Sequence, residues 1–234
     1  MPTMEQPLKS DAFHRPVRSF VLRQGRLTTA QERILQEKGP AFLLDPATPE
    51  ALPWKDGRPL LLEIGFGNGE HLAHFSATHP DWGCIGAEVH RPGVGALLLR
   101  AEDAGLQNLQ VLNDDVVPWL KAMPGAPFRL VVIQFPDPWP KKRHHKRRLV
   151  QPGLARLLVQ RLAPGGELQL ATDWEDYAWQ MLEVLEAATG LRNMAGPGSF
   201  SPRPENRIPT RFERRGEALG HRVYDLRFIR TGEE

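Results

Sequence analysis

The chain has 234 residues, of which 41% are hydrophobic and 25% charged, which describes one globular domain of ordinary size with enough length to bury a full core. No apolar run is long enough to span a bilayer, and the polar stretch Met1 to Ser10 has no signal-peptide core. The single cysteine, Cys84, excludes an intrachain disulfide and points to the reducing cytoplasm.

The net charge of +2 says little by itself, but the bases are clustered. Arg15 to Arg33 holds five arginines against one acid, Lys141 to Arg148 holds six bases and no acid, and Arg203 to Arg230 is again rich in arginine. A near-neutral total with clustered bases predicts an electrostatic footprint on one face.

In chain order, residues 1–14 are expected to be disordered, and residues 15–58 to form an N-terminal extension and linker. Within that extension Thr28 to Lys38 predicts a short helix capped by Thr28 or Thr29, and the Pro- and Gly-rich Gly39 to Pro59 reads as linker. Residues 59–234 form the main domain. Apolar runs at Leu60 to Gly65, Cys84 to Val89, Leu109 to Asn113, Leu130 to Phe135 and Leu168 to Thr172 predict buried strands. Helices are predicted at Glu70 to Thr78, Pro92 to Ala104, Val116 to Met123, Gly153 to Ala163 and Trp174 to Ala188, with Pro164-Gly165-Gly166 as a helix stop. A last strand is predicted within His221 to Arg230. Leu191 to Gly220 reads as a long connection. The alternation predicts an α/β fold with a largely parallel sheet and helices on both faces.

Three places carry chemistry. The turn Glu63-Ile64-Gly65-Phe66-Gly67-Asn68-Gly69 follows the first strand and opens a helix, so its glycines allow close backbone approach to a ligand. A dinucleotide turn wants glycine at position 70, which is Glu70 here, and an acid two residues before the first glycine suits a cationic or amine-bearing cofactor better than a pyrophosphate. Glu88 ends the second strand, where a carboxylate can accept ribose hydroxyls. Asp114 and Asp115 end the third.

After the fourth strand comes Phe135-Pro136-Asp137-Pro138-Trp139-Pro140, followed by Lys141-Lys142-Arg143-His144-His145-Lys146-Arg147-Arg148. Prolines fix the backbone around Asp137, whose carboxylate can accept the N1–H and exocyclic amine of guanine, while Trp139 offers a stacking surface. The basic run can hold phosphates. Together these read as an enzyme acting on a nucleobase within RNA or DNA. His144 and His145 lack a cysteine or acid at ligand spacing, and no metal site is predicted. Cys84 reads as an inert buried thiol.

The glycine turn resembles motif I of class I S-adenosylmethionine-dependent methyltransferases. From Arg15 onward the chain closely resembles the bacterial tRNA (guanine-N7)-methyltransferases, which modify the variable-loop guanosine at position 46. The resemblance rests on Arg18 to Arg26, on Glu88-Val89-His90-Arg91-Pro92-Gly93-Val94-Gly95, on the Pro136 to Arg148 block, on Ala171-Thr172-Asp173-Trp174-Glu175 and on Thr210-Arg211-Phe212-Glu213. It implies a Rossmann-like class I methyltransferase fold, a mostly parallel sheet with one antiparallel C-terminal strand and helices on both faces, with S-adenosylmethionine as cofactor and tRNA as partner, no obligate protein partner, and a monomer or homodimer. By motif, Glu63, Gly65, Gly67, Gly69, Glu88, Asp115 and Asp137 would bind the cofactor, and Asp137 would also be catalytic. The pattern aligns on Asp115, with the tandem Asp114 as the alternative. Lys141, Asp173, Thr210, Arg211, Phe212 and Glu213 would contact substrate. Arg143, His144, His145, Lys146, Arg147 and Arg148 would bind RNA.

Three rivals are weighed. A non-catalytic tRNA-binding module predicts a degraded cofactor motif, yet Glu63 to Gly69 and Glu88 are intact. An NAD-dependent oxidoreductase is opposed by Glu70. A methyltransferase of adenine N6 or a small molecule is opposed by the basic run and the Thr210 to Glu213 motif.

Overall fold

The computed structural model describes residue 20 and residues 25–210, 213–214 and 220–232. The expectation for residues 1–14, most of the Arg18 to Arg26 motif, and Arg211 and Phe212 lie outside the described residues. Among the described residues no helix is long and apolar enough to cross a membrane.

Seven strands form one sheet: β1 Leu60–Ile64, β2 Gly83–Ala87, β3 Leu109–Leu112, β4 Phe128–Gln134, β5 Leu162–Thr172, β6 Leu191–Asn193 and β7 Tyr224–Arg230, in the order β3-β2-β1-β4-β5-β7-β6. The pairs from β3 through β5 are parallel, and β7 is antiparallel to both β5 and β6, so β7 alone opposes the other six strands. Strands β1 and β2 are buried along their whole length, as expected where helices cover both faces.

The pleat sends alternate residues into two cores. Leu60, Leu62 and Ile64 of β1 pack with α5 Val116–Ala122, α6 Pro152–Arg161 and α7 Glu175–Glu186. Leu61, with Leu130 and Val132 of β4, packs with α1 Thr29–Glu37, α3 Glu70–Thr78 and α4 Arg91–Asp103. From β1 the chain steps outward to β2 and β3, then returns to place β4 on the other side of β1. That reversal leaves a crevice at the carboxyl ends of β1 and β4. The glycine turn leaves β1 there, and the proline-bracketed acid leaves β4 there.

Three expectations are revised. Thr28 caps α1 in a full capping box, as read, but the stretch taken for linker begins with the short helix α2 Gly39–Phe42. Its continuation lies along the β3 edge, where the Leu44 N–H donates to the Val111 carbonyl at 2.9 Å and Leu43 bridges Val111. An exposed strand edge needs such cover. Helix α6 ends at Arg161, before Pro164-Gly165-Gly166, which instead sits inside β5. There the register jumps from Phe128 opposite Leu162 to Leu130 opposite Glu167, so the Pro-Gly-Gly is a strand irregularity and not a helix stop. The connection Leu191 to Gly220 begins with strand β6, too short to show a period of its own.

Candidate cofactor cleft and nucleic-acid interface

Two clefts open at the crevice. The first, about 370 Å³, is lined by Phe20, Gly65, Glu88, His90, Asp114, Asp115, Gln134, Phe135, Asp137 and Leu149, among others. The second, about 280 Å³, is lined by Glu63, Gly65, Gly67, Glu70, His71, Gln134, Phe135 and Thr210, among others. Gly65, Gln134 and Phe135 border both.

Gly65, Gly67 and Gly69 have φ of +74°, +58° and +72°, a conformation that side chains resist. The turn they make is pinned from outside. The Gly67 N–H donates to Glu88 Oε2 and the His90 N–H to Glu88 Oε1, each at 2.9 Å. Gly93 of α4 packs so close that a Cβ there would lie 2.3 Å from the Gly67 carbonyl oxygen. Glu88 is therefore both a cleft wall and the clasp of the glycine turn, with lone pairs remaining on each oxygen for a ligand.

Glu63 lies deeper, 2% exposed, with its carboxylate 2.8 Å from His71 Nδ1. Burial works to depress the His71 imidazole, but the charge and hydrogen bond of Glu63 outweigh it and hold the ring above its usual range. Both tandem acids border the first cleft. Asp115 caps α5, its Oδ1 accepting the Val117 N–H at 3.0 Å, and Asp114 Oδ1 accepts the Asp115 N–H at 2.6 Å.

Asp137 stands at the rim with its outer side open to solvent. Partial burial against the cleft wall raises its carboxyl above the usual carboxylate range. The residues around it are held in an uncommon backbone. Phe135 has φ +49° and Trp139 φ +44°, both bulky side chains in the left-handed region. Such conformations cost about 1–3 kcal/mol each and cluster at functional sites. The Phe135 N–H donates to the Ala171 carbonyl of β5 at 2.7 Å.

The basic run folds as a 3-10 helix, Lys142–Arg147, with Lys141 at its N-cap. Lys141, Lys142, Arg143 and Lys146 are exposed. The Arg147 guanidinium lies over the Trp139 ring at 4.1 Å from its centroid, and His144 meets that ring edge-on at 5.9 Å. The stacking surface expected of Trp139 is thus partly taken by its own basic helix. Desolvation and then the neighbouring cations lower the His144 imidazole.

Arg148 departs from the rest of the run. It is 2% exposed, with Nε donating to the Pro138 carbonyl at 2.8 Å, further bonds to Asp176 and Gln180, and its guanidinium 4.8 Å from the Tyr177 ring centre. It ties the Pro-Asp-Pro-Trp segment to α7 and is not placed to meet RNA. Glu213 departs likewise: it is 1% exposed and paired with Arg203 and Arg207, so its carboxylate does not face a substrate. Thr210 does border the second cleft. Asp173 does not cap α7, whose N-cap is Trp174. Its carboxylate lies 3.3 Å from His221 Nδ1.

Gln134 was missed. It ends β4 between the two clefts, 9% exposed, and neither its amide nitrogen nor its amide oxygen has a hydrogen-bond partner. The available signal was a polar residue closing the apolar run Leu130-Val131-Val132-Ile133.

The first cleft has the volume of a small-molecule site. Glu88, Asp114, Asp115 and Asp137 make its wall acidic, which repels a pyrophosphate and favours a cation with a hydroxyl-bearing ribose. The donor set fits S-adenosylmethionine, whose sulfonium is positive and whose ribose presents two hydroxyls.

A family model described as "Putative methyltransferase" matches residues 57–226. The chain is 58% identical over 227 residues to a tRNA (guanine-N(7)-)-methyltransferase from Acidithiobacillus ferrooxidans, covering 97% of this chain and 99% of that one. It is 52% identical over 219 residues to the protein of the same name from Alcanivorax borkumensis, covering 92% and 91%. Among solved structures, the 16S rRNA methyltransferase KamB superposes with a TM-score of 0.56 at 15% identity, covering 90% of this chain and 97% of that one, a likeness of fold alone.

Proposed function

The chain belongs to the tRNA (guanine-N7)-methyltransferase family, and from that membership we propose that it methylates N7 of the guanosine at position 46 in the tRNA variable loop, using S-adenosylmethionine in the cytoplasm. The observation that carries this reading is a juxtaposition. Asp137 stands at the mouth of an acid-walled cleft, and the exposed basic helix begins five residues later.

Glu88 and Asp115 would hold the ribose and adenine end of the cofactor in the first cleft, with the Gly65 to Gly69 turn closing over it. Bound there, S-adenosylmethionine supplies an activated methyl group. Guanine N7 carries a lone pair and no proton, so no side chain has to generate the nucleophile. Catalysis is then mainly positioning and electrostatics. Asp137 accepts hydrogen bonds from the N1–H and amino group of the base, which orients it. The same carboxylate stabilises the positive charge that grows on the ring as N7 is alkylated. Lys141, Asp173 and Thr210 would contact the nucleotide, and Arg143, His144, His145, Lys146 and Arg147 the surrounding phosphates.

The test is incubation of the purified protein with methyl-labelled S-adenosylmethionine and unmodified tRNA, followed by nucleoside analysis. Labelled 7-methylguanosine is expected, and it should vanish when the variable-loop guanosine is replaced. Label in 7-methylguanosine that survives the replacement would overturn position 46, and label in another nucleoside would overturn the target atom. With Asp137→Ala, kcat should fall at least about 100-fold with cofactor affinity nearly intact, the scale of removing one preorganised electrostatic group.

A further inference from the structure

We propose that Glu213 is a positioning residue that acts on Asp137 through Arg207 and Phe135, and not a group that touches RNA. The inference rests on the activity proposed above and assigns a role within it.

The Glu213 carboxylate is buried between two arginines. Its Oε2 accepts from Arg207 Nη1 at 2.6 Å, and Arg203 pairs with Oε1. Arg207 is itself 4% exposed and holds a second carboxylate: its Nη2 donates to Asp225 Oδ2 at 2.9 Å, and its Nε lies 2.7 Å from Asp225 Oδ1. Arg203 is exposed, so the buried part is the Arg207 guanidinium between the Glu213 and Asp225 carboxylates, with Arg203 meeting Glu213 from the solvent side and no charge left stranded.

The cluster reaches Phe135 by two routes. The Arg207 guanidinium lies 5.9 Å from the centre of the Phe135 ring. Asp225 sits on β7 opposite Ala171 of β5, and the Ala171 carbonyl accepts the Phe135 N–H at 2.7 Å. Phe135 is one of two non-glycine residues with positive φ among those described, and Asp137 follows it by two positions. A left-handed phenylalanine persists only where its surroundings hold it there. The Arg207 guanidinium near its ring and the hydrogen bond from its N–H to the Ala171 carbonyl do so. Glu213 also reaches the second cleft, since Thr210 Oγ1 accepts the Glu213 N–H at 3.2 Å and Thr210 lines that cleft.

The experiment compares full-length Glu213→Gln, Asp225→Asn and Phe135→Leu enzymes, first shown by thermal melting to be folded at the assay temperature. Glu213→Gln and Asp225→Asn should each lower kcat about 10-fold or more, the scale of a small displacement of a catalytic group, with tRNA Kd, its salt dependence and cofactor affinity within about 2-fold. Their combination should be hardly worse than either alone. In the Phe135→Leu background Glu213→Gln should add less than about 2-fold, because the ring that Arg207 meets is gone while the backbone hydrogen bond to Ala171 remains. Should Glu213→Gln not fold, Asp225→Asn carries the test, since Asp225 holds the same guanidinium from β7. An Asp225→Asn enzyme with wild-type kcat would overturn the proposal, as would Glu213→Gln weakening tRNA binding with kcat intact. Losses that multiply in the Phe135→Leu background would reduce the cluster to a fold staple. A wild-type enzyme that makes no 7-methylguanosine would instead overturn the activity reading, a separate outcome.

Discussion

Residues of one type within one run do different work here, and burial decides which. Arg143 and Arg148 are five positions apart in the same basic stretch, yet one is exposed and the other is 2% exposed among Pro138, Asp176, Gln180 and Tyr177. Replacing Arg148 by Met should cost about 1.5–3 kcal/mol of stability, the range for hydrogen bonds to a charged group, with tRNA affinity per folded molecule little changed. Denaturant titration beside a binding assay separates the two effects. Asp137 carries a pH signature. Its carboxyl is raised by desolvation, so the charged form that the mechanism needs is complete only above that raised value and is lost as pH falls through it. The acid limb of kcat/KM should therefore lie above the ordinary carboxylate range and disappear in Asp137→Asn. An acid limb unchanged in Asp137→Asn would assign the titration to another group.

At the level of elements, the catalytic features are strand ends and the turns that leave them. Glycines at 65, 67 and 69 were legible because a run of three with alternating spacing after an apolar strand has few other uses. Gly93 was legible only as part of a motif, since nothing local shows that α4 must approach the Gly67 carbonyl. Gly93→Ala places a methyl 2.3 Å from that oxygen and must push the glycine turn toward the cleft. With overpacking at about 1–3 kcal/mol, cofactor affinity should drop roughly 5- to 150-fold by calorimetry. Gly153→Ala on α6 meets nothing within 4 Å and should bind cofactor as the wild type does. Equal behaviour of the two variants would show that the turn does not depend on this approach of α4. The Pro164-Gly165-Gly166 misreading has the same origin. Proline and glycine mark a break in regular structure, but whether it ends a helix or bends a strand depends on what pairs with it, here Phe128 and Leu130 of β4.

For the whole molecule, the near-neutral charge conceals an exposed basic helix at Lys142–Arg147, and salt dependence reads out what it binds. Neutralising Arg143, Lys146 and Arg147 together should weaken tRNA binding and reduce the slope of log K against log salt by about 2–3, near one unit for each phosphate left without its cation. An unchanged slope would return the helix to an ordinary solvated face. The sequence by itself determined the α/β alternation, six of the seven strands, the glycine turn and the acid-then-base order of the Pro136 to Arg148 block, because apolar period, proline and glycine act through bonds and neighbours close in the chain. Only the tertiary structure decided that Thr29–Phe42 packs as part of the domain, that Leu191–Asn193 adds a seventh strand, and that Gln134 stands unpartnered between two clefts. It likewise decided that Arg148 and Glu213 turn inward. The inward turn of the two charged residues depends on partners from other elements, Asp176 and Gln180 of α7 for Arg148 and, through Arg207, Asp225 of β7 for Glu213, because a charge is buried at acceptable cost only where a partner arrives to share it.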